Sequence, residues 1–146
     1  MIETHADAIL PATPKEAYDV VLDLSGADWL PSIKGVKHVS GPKSGVGAVY
    51  LVEVGAVGQH LKGQLVCREA VADTRVVYEL EEGIELRLEI DITKVRGGCQ
   101  IDVGVRYRIP GAFGGAFERA SLGAAKREVA RAVEQLAARF GRRDVA

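Results

Sequence analysis

Cysteine is scarce: Cys67 and Cys99 are the only two in 146 residues, too few for a disulfide framework. Both lie in segments that alternate like strands, where cysteine behaves as a small apolar residue, so both are read as free thiols. Charge of one sign is missing too. Nineteen Lys and Arg against twenty Asp and Glu leave a net charge of -1, which gives no electrostatic pull towards nucleic acid or an anionic membrane. Aromatics make up 5% of the chain and are not interleaved with basic residues, which argues further against single-strand binding. Long hydrophobic runs are absent: charges interrupt every apolar stretch well before the ~18 to 20 residues of a membrane span. Met1 leads straight into Ile2-Glu3-Thr4-His5 without a basic-then-apolar leader, so the expectation is a soluble, cytoplasmic protein.

Motifs of metal and nucleotide chemistry are missing as well. His5, His38 and His60 are far apart, and the chain contains neither Cys-x-x-Cys nor His-Glu-x-x-His, so no metal is expected. Gly45-Val46-Gly47 lacks the third glycine and following helix of a dinucleotide site, and no glycine-rich loop ends in Gly-Lys-Ser/Thr, so no cofactor is expected. The serines sit in no nucleophile elbow.

What is present reads as one domain over residues 1–141 with a frayed tail at 142–146. Residues 2–10 alternate, with Ile2, Thr4, Ala6, Ala8 and Leu10 on one face, the period of a half-buried strand. Thr13-Pro14-Lys15-Glu16 supplies an N-cap, a proline at the first helical position and a capping-box glutamate. The helix that follows buries Ala17, Tyr18, Val21 and Leu22 and stops at Ser25-Gly26, with a second helical turn expected over residues 27–30. From Val36 to Ile109 the period changes to two, which predicts an antiparallel meander. Gly97-Gly98 reads as a two-residue hairpin turn, pairing Ile92 with Val103, Ile90 with Val105 and Leu88 with Tyr107, and setting Glu89 opposite Arg106 outside. The preceding hairpin, with a loop at Glu81-Glu82-Gly83, pairs Leu80 with Ile84 and Tyr78 with Leu86. Residues 116–140 return to helical spacing, with Leu122, Ala125, Val129, Val133, Leu136 and Phe140 as the apolar stripe. Gly123 within it costs about 1 kcal/mol against alanine, so a kink or a close approach is expected there.

This order of elements resembles the helix-grip fold of the START-like, or SRPBCC, superfamily, especially its polyketide cyclase/dehydrase and coenzyme-Q-binding branch. Ala12-Thr13-Pro14-Lys15-Glu16-Ala17-Tyr18-Asp19-Val20 is similar to that family's helix start. Asp23 through Pro31, with Trp29, is similar to its Trp-Pro segment. Gly45-Val46-Gly47-Ala48 resembles the opening of its third strand, and Val105 through Gly111 its exit into the last helix. Leu61-Lys62-Gly63-Gln64 resembles the carbon monoxide dehydrogenase accessory branch. The resemblance implies an α+β fold: a curved antiparallel sheet wrapped around a long C-terminal helix, two short helices after the first strand, and an apolar cavity between sheet and helix.

Strand parity then proposes the cavity lining. Tyr50, Val52, Tyr78 and Leu80 come from the middle strands, and Leu86, Leu88, Ile90, Val103 and Val105 from the last two. Trp29, Phe113, Phe117 and Leu122 stand near the mouth. The bland alternative is that these side chains simply pack as core, each contributing roughly 1.5 to 3 kcal/mol.

Catalysis, if any, falls to the segment from His60 to Arg68, and two arguments about it disagree. A turn at Ala72-Asp73 sets Cys67 opposite Tyr78 and Leu65 opposite Leu80, sending Lys62, Gln64 and Arg68 to solvent. Resemblance to aromatase/cyclases implies an arginine here pointing into the cavity, and one bulge or a three-residue turn would switch parity. An inward Arg68 would stabilise an enolate during aldol ring closure, with His60 or Tyr78 moving a proton. Two functions therefore stand: binding of a hydrophobic lipid, quinone or polyketide-like molecule, or a cofactor-independent cyclase/aromatase. A homodimer, or an accessory role beside a larger enzyme, stays open.

Overall fold

The computed structural model describes the backbone of residues 2–26, 29–31, 33–56, 59–81, 85–108 and 114–145. Side chains are described for the same residues except 26, 54–56, 59–61, 114–121 and 142–145. The elements run β1 (Ile2–Leu10), α1 (Pro14–Leu22), a 3-10 turn (Leu24–Gly26), β2 (Ile33–Ser40), β3 (Val49–Ala56), β4 (Gln59–Val71), β5 (Arg75–Leu80), β6 (Glu85–Val95), β7 (Gly98–Arg108) and α2 (Gly114–Val145). The seven strands form one antiparallel sheet in the order β1-β7-β6-β5-β4-β3-β2.

Local chemistry accounts for α1. The Thr13 hydroxyl accepts from Glu16 N at 3.1 Å, and Glu16 Oε1 accepts from Thr13 N at 3.1 Å, so two N-terminal donors are satisfied reciprocally. The helix ends at Leu22, earlier than Ser25-Gly26. Asp23 Oδ1 accepts from both the backbone N and the hydroxyl of Ser25, a side-chain turn that competes with further helix. The second helical turn also moves. It forms at Leu24–Gly26, while Ala27 and Asp28 of the expected turn lie outside the described residues.

Both late hairpins keep their predicted faces but shift in register. β6 and β7 pair Val95 with Gly98, Ile92 with Ile101, Ile90 with Val103, Leu88 with Val105 and Leu86 with Tyr107. The turn is therefore Arg96-Gly97, and Gly97 alone takes a positive φ, 83°. Gly98 is a strand residue, kept small because a Cβ there would stand 2.0 Å from Leu10 O. A slip of two residues preserves alternation, so the inner face survives. The expected pairing of Glu89 with Arg106 does not: Glu89 faces Gly104, and Arg106 faces Arg87. β5 and β6 shift similarly, with Tyr78 opposite Leu88 rather than Leu86. Leu80 pairs with Leu65 of β4, and Ile84 lies outside the described residues.

The inner face packs on both helices. Ala17 and Val21 of α1 and Val129, Ala132, Val133, Leu136 and Phe140 of α2 share one buried cluster with Leu10, Tyr50, Tyr78, Ile90 and Ile101. α2 crosses β1 and β7 and begins two residues before its expected start. It also extends through Val145, so residues 142–145 are helical. Gly123 is exposed, and among the described residues a Cβ there would meet only Arg127 Nη1, at 3.5 Å; no packing contact with a described residue requires a glycine.

Candidate functional site

Burial along the inner face is graded. On β6 the residues Ile92, Ile90 and Leu88 are buried while Leu86 is half-buried; on β7 Ile101 and Val103 are buried and Val105 is half-buried, while Tyr107 beyond it, opposite Leu86, is buried again. β5 repeats this, from Val76 and Tyr78 at 0% exposure to a half-buried Leu80. α2 runs the same way, with Val129, Val133, Leu136 and Phe140 buried, and Leu122 and Ala125 only partly so. The C-terminal half of α2 therefore closes tightly on the sheet. Towards Leu122 the apolar faces are left partly uncovered.

The sheet opens where Leu80 and Leu86 stand. The β5–β6 ladder ends at Glu79 opposite Arg87. Beyond it β5 stays with β4, through Leu65–Leu80 and a bond from Glu81 N to Gln64 O of 2.9 Å. β6 instead stays with β7, through Leu86–Tyr107 and Glu85–Arg108. Between the diverging strands lies an open cleft of about 310 Å³, lined by Glu79, Leu80, Glu85, Leu86, Arg87 and Arg106. Leu80 and Leu86 are among the lining residues that parity proposes. The charged residues Glu79, Glu85, Arg87 and Arg106 are not, because their place depends on where β5 leaves β6, which alternation does not record.

Tyr50, Val52, Tyr78, Leu88, Ile90 and Val103 are buried deeper in the sheet. The rings of Tyr50 and Tyr78 meet edge to face with centroids 6.4 Å apart, and His38 stands edge-on to Tyr50 at 5.8 Å. The Tyr50 hydroxyl donates to Lys43 O at 2.8 Å. Burial, with the Asp23 charge, pushes its pKa up to about 12. The Tyr78 hydroxyl donates to Val21 O at 2.6 Å and Leu22 O at 2.8 Å, closing the C-terminal end of α1. Burial pushes its pKa up steeply. A phenol held this way is a poor proton shuttle at neutral pH.

Arg68 sits on the outer face. Two features that each switch parity occur together and cancel. The turn after β4 has three residues, with Val71 opposite Arg75, and a bulge follows between Cys67 and Glu69. Cys67 thus stands opposite Tyr78 and Leu65 opposite Leu80. Lys62 and Arg68 are exposed, and Gln64 is too. Arg68 Nε lies 3.5 Å from Glu79 Oε2. Arg87 bridges Glu79 at 2.9 Å and Glu89 at 2.7 Å, Arg75 reaches Asp91 at 2.7 Å, and Arg106 reaches Glu3 at 2.8 Å. These pairs tile the outer face, each contributing between 0 and about 1 kcal/mol.

The side chains of His60 and Phe117, and all of Phe113, lie outside the described residues. Cys67 and Cys99 are free and buried, and burial raises both thiols. Trp29 is fully buried, and its Nε1–H has no acceptor among the described residues. Among the described residues no three His, Cys, Asp or Glu side chains gather for a metal, and no helix is long and apolar enough to cross a membrane.

The fold is shared with solved structures of low sequence identity. A protein from Thermus thermophilus matches with a TM-score of 0.80 at 17% identity, covering 95% of this chain and 97% of that one. A START superfamily protein from Mycobacterium smegmatis matches at 0.68 and 14%, covering 94% and 97%. The di-domain ARO/CYC of the steffimycin biosynthetic pathway matches at 0.78 and 8%, covering 99% of this chain and 52% of that one. No curated protein matches the chain. The family model described as polyketide cyclase / dehydrase and lipid transport matches residues 1–141, and the chain belongs to that family.

Proposed function

We propose that the protein binds a hydrophobic small molecule, of lipid, quinone or polyketide type, between the inner face of the sheet and the N-terminal half of α2, without covalent chemistry. The observation that carries this reading is the graded burial. Leu80, Leu86 and Val105 leave apolar surface partly uncovered towards the end where β5 and β6 part, and Leu122 on α2 is only partly buried, and covering such surface gains roughly 25 cal/mol per Å². Thr4 is the one buried residue of polar or charged type among the described residues. The Arg68 guanidinium and the Tyr78 proton, the two described groups with catalytic potential, are held outside and on α1 respectively.

Native mass spectrometry of freshly purified protein, followed by solvent extraction, tests the reading. A stoichiometric hydrophobic adduct is expected, and a protein that neither carries nor takes up any hydrophobe would refute it. The second reading, a cyclase/aromatase, draws on the likeness to ARO/CYC structures. It requires Arg68→Ala to abolish turnover of a poly-β-ketone, whereas the outer-face position predicts unchanged activity.

A further inference from the structure

The cleft where β5 and β6 part is lined by residues of both faces of the sheet. Glu79, Glu85, Arg87 and Arg106 belong to the outer face, whereas Leu80 and Leu86 continue the inner face and pack against the buried cluster. In a continuous ladder the paired backbones separate the two faces, and side chains of opposite faces share no space. Here they share one cavity of about 310 Å³. The cleft is therefore a gap in the sheet, charged on its outer side and apolar on its inner side.

A glycine on the neighbouring strand accounts for the gap being unfilled. β5 lies between β4 and β6, and Leu80 faces Leu65 of β4, two residues from Gly63. A Cβ at Gly63 would stand 2.8 Å from Leu80 Cδ1, 3.7 Å from its Cγ and 3.9 Å from its Cδ2. The isobutyl group thus lies over Gly63, on the side of β5 away from β6 and from Leu86. Gly63 does not take a positive φ, so what the position uses is the missing side chain. The charged rim does not bar an apolar chain either. Arg87 is paired with Glu79 and Glu89, and Arg106 with Glu3, so no ion is stripped of its partner as methylenes pass. The arginine stems offer them apolar flanks.

We propose that this gap is the port through which a hydrophobe reaches the inner face of the sheet, and that Gly63 keeps it open by giving Leu80 a place to lie. The inference rests on the binding reading above and adds the route to it.

A route governs how fast a ligand comes and goes, and a site how tightly it is held. Stopped-flow mixing and displacement of N-phenyl-1-naphthylamine, a neutral hydrophobe that fluoresces in apolar surroundings, measures both. In Gly63→Ala the new methyl pushes Leu80 towards Leu86, and each passage must displace it again. Association and dissociation should both slow about tenfold, the barrier of an overpacked contact, with Kd unchanged within about twofold. Gly63→Ala/Leu80→Ala should recover the wild-type rates. If Gly63→Ala fails to fold, Leu80→Ala alone decides, and both of its rates should rise. Unchanged rates in these variants would put entry elsewhere and overturn the inference while leaving hydrophobe binding intact. A weaker Kd at an unchanged association rate would overturn it too, by making the gap part of the site. Wild-type protein that binds no probe would refute the binding reading itself, and the inference with it.

Discussion

Gly97 and Gly98 are neighbours with different reasons to be glycine, and separate substitutions distinguish them. At Gly97 the difficulty is conformational: φ is 83°, yet no atom of the described residues beyond its chain neighbours lies within 4 Å of where a Cβ would stand. Alanine in the left-handed region costs roughly 1 to 2 kcal/mol. At Gly98 the backbone angle is ordinary, but a Cβ would fall 2.0 Å from Leu10 O and 3.1 Å from Leu10 C. Backbone atoms cannot rotate away. Leu10 is paired with Cys99 and Ile9 with Gln100, and the Leu10 side chain is wholly buried. Relieving the clash means pulling the end of β1 off β7 and partly withdrawing Leu10 from the core, a loss of about 3 kcal/mol or more. Unfolding entropy of about 2.1 cal/mol/K per residue gives about 0.3 kcal/mol/K for 146 residues. One kcal/mol then corresponds to about 3 °C in Tm. Thermal denaturation should show Gly97→Ala lower by roughly 3 to 6 °C and Gly98→Ala lower by about 10 °C or more. Asparagine, which tolerates positive φ, should recover part of the loss at 97 but none at 98. Equal losses for the two alanine variants, or a larger one at 97, would refute the close-approach argument.

Tyr78→Phe leaves Val21 O and Leu22 O without their donor and should destabilise by about 1 to 3 kcal/mol; urea unfolding measures it, and unchanged stability would show the bond is replaceable. Gly123→Ala, on an exposed helical position with room for Cβ, should raise stability by up to about 1 kcal/mol, read as a higher Tm; a decrease would reveal a backbone approach at that position. Partial burial pushes the Glu89 carboxyl up, but the Arg87 hydrogen bond and the charges of Arg75, Arg87 and Arg106 outweigh it and hold the pKa below the ordinary 4.5. A carboxyl depressed on folding stabilises fully above its unfolded pKa and loses that contribution as pH falls through the folded value. Stability should therefore fall below about pH 4.5, and less steeply in Glu89→Gln; identical acid profiles would remove Glu89 from the network.

The fold is legible in the sequence because it rests on short-range signals. Thr13, Pro14 and Glu16 mark the start of α1 through their own backbone bonds, and the alternation of Leu86, Leu88, Ile90 and Ile92 places one face of β6 inward whatever its partner. Register is less legible. Two glycines at 97–98 suit a turn on conformational grounds, but Gly98 answers to the carbonyl of Leu10 at the far end of β1, and no local pattern carries that contact. The difference is harmless to the face because a hairpin can slip by two residues without exchanging inside and outside. It is not harmless to the charges: Glu89 and Arg106 lose each other and find Arg87 and Glu3 instead.

The side on which Arg68 stands shows where local reasoning ends. A straight ladder continued from the Val71–Arg75 pair would set Arg68 opposite Tyr78, with its guanidinium beside two buried phenols whose protons are already donated to backbone carbonyls. No carboxylate lies in the buried set among the described residues, and an unpaired buried charge costs several kcal/mol, of the order of 3 to 5. The bulge avoids this by adding one residue to β4. Cys67 keeps its place against Tyr78, and Arg68 reaches Glu79 in partial solvent. The choice between a three-residue turn with a bulge and a two-residue turn without one is therefore invisible to the inner face, which sees the same Leu65 and Cys67 in both. What alternation reads correctly is the burial requirement; how the backbone meets it depends on the turn, where Asp73 adopts a φ of 61° that aspartate tolerates. The same requirement leaves the buried set without a Lys, Arg or His among the described residues.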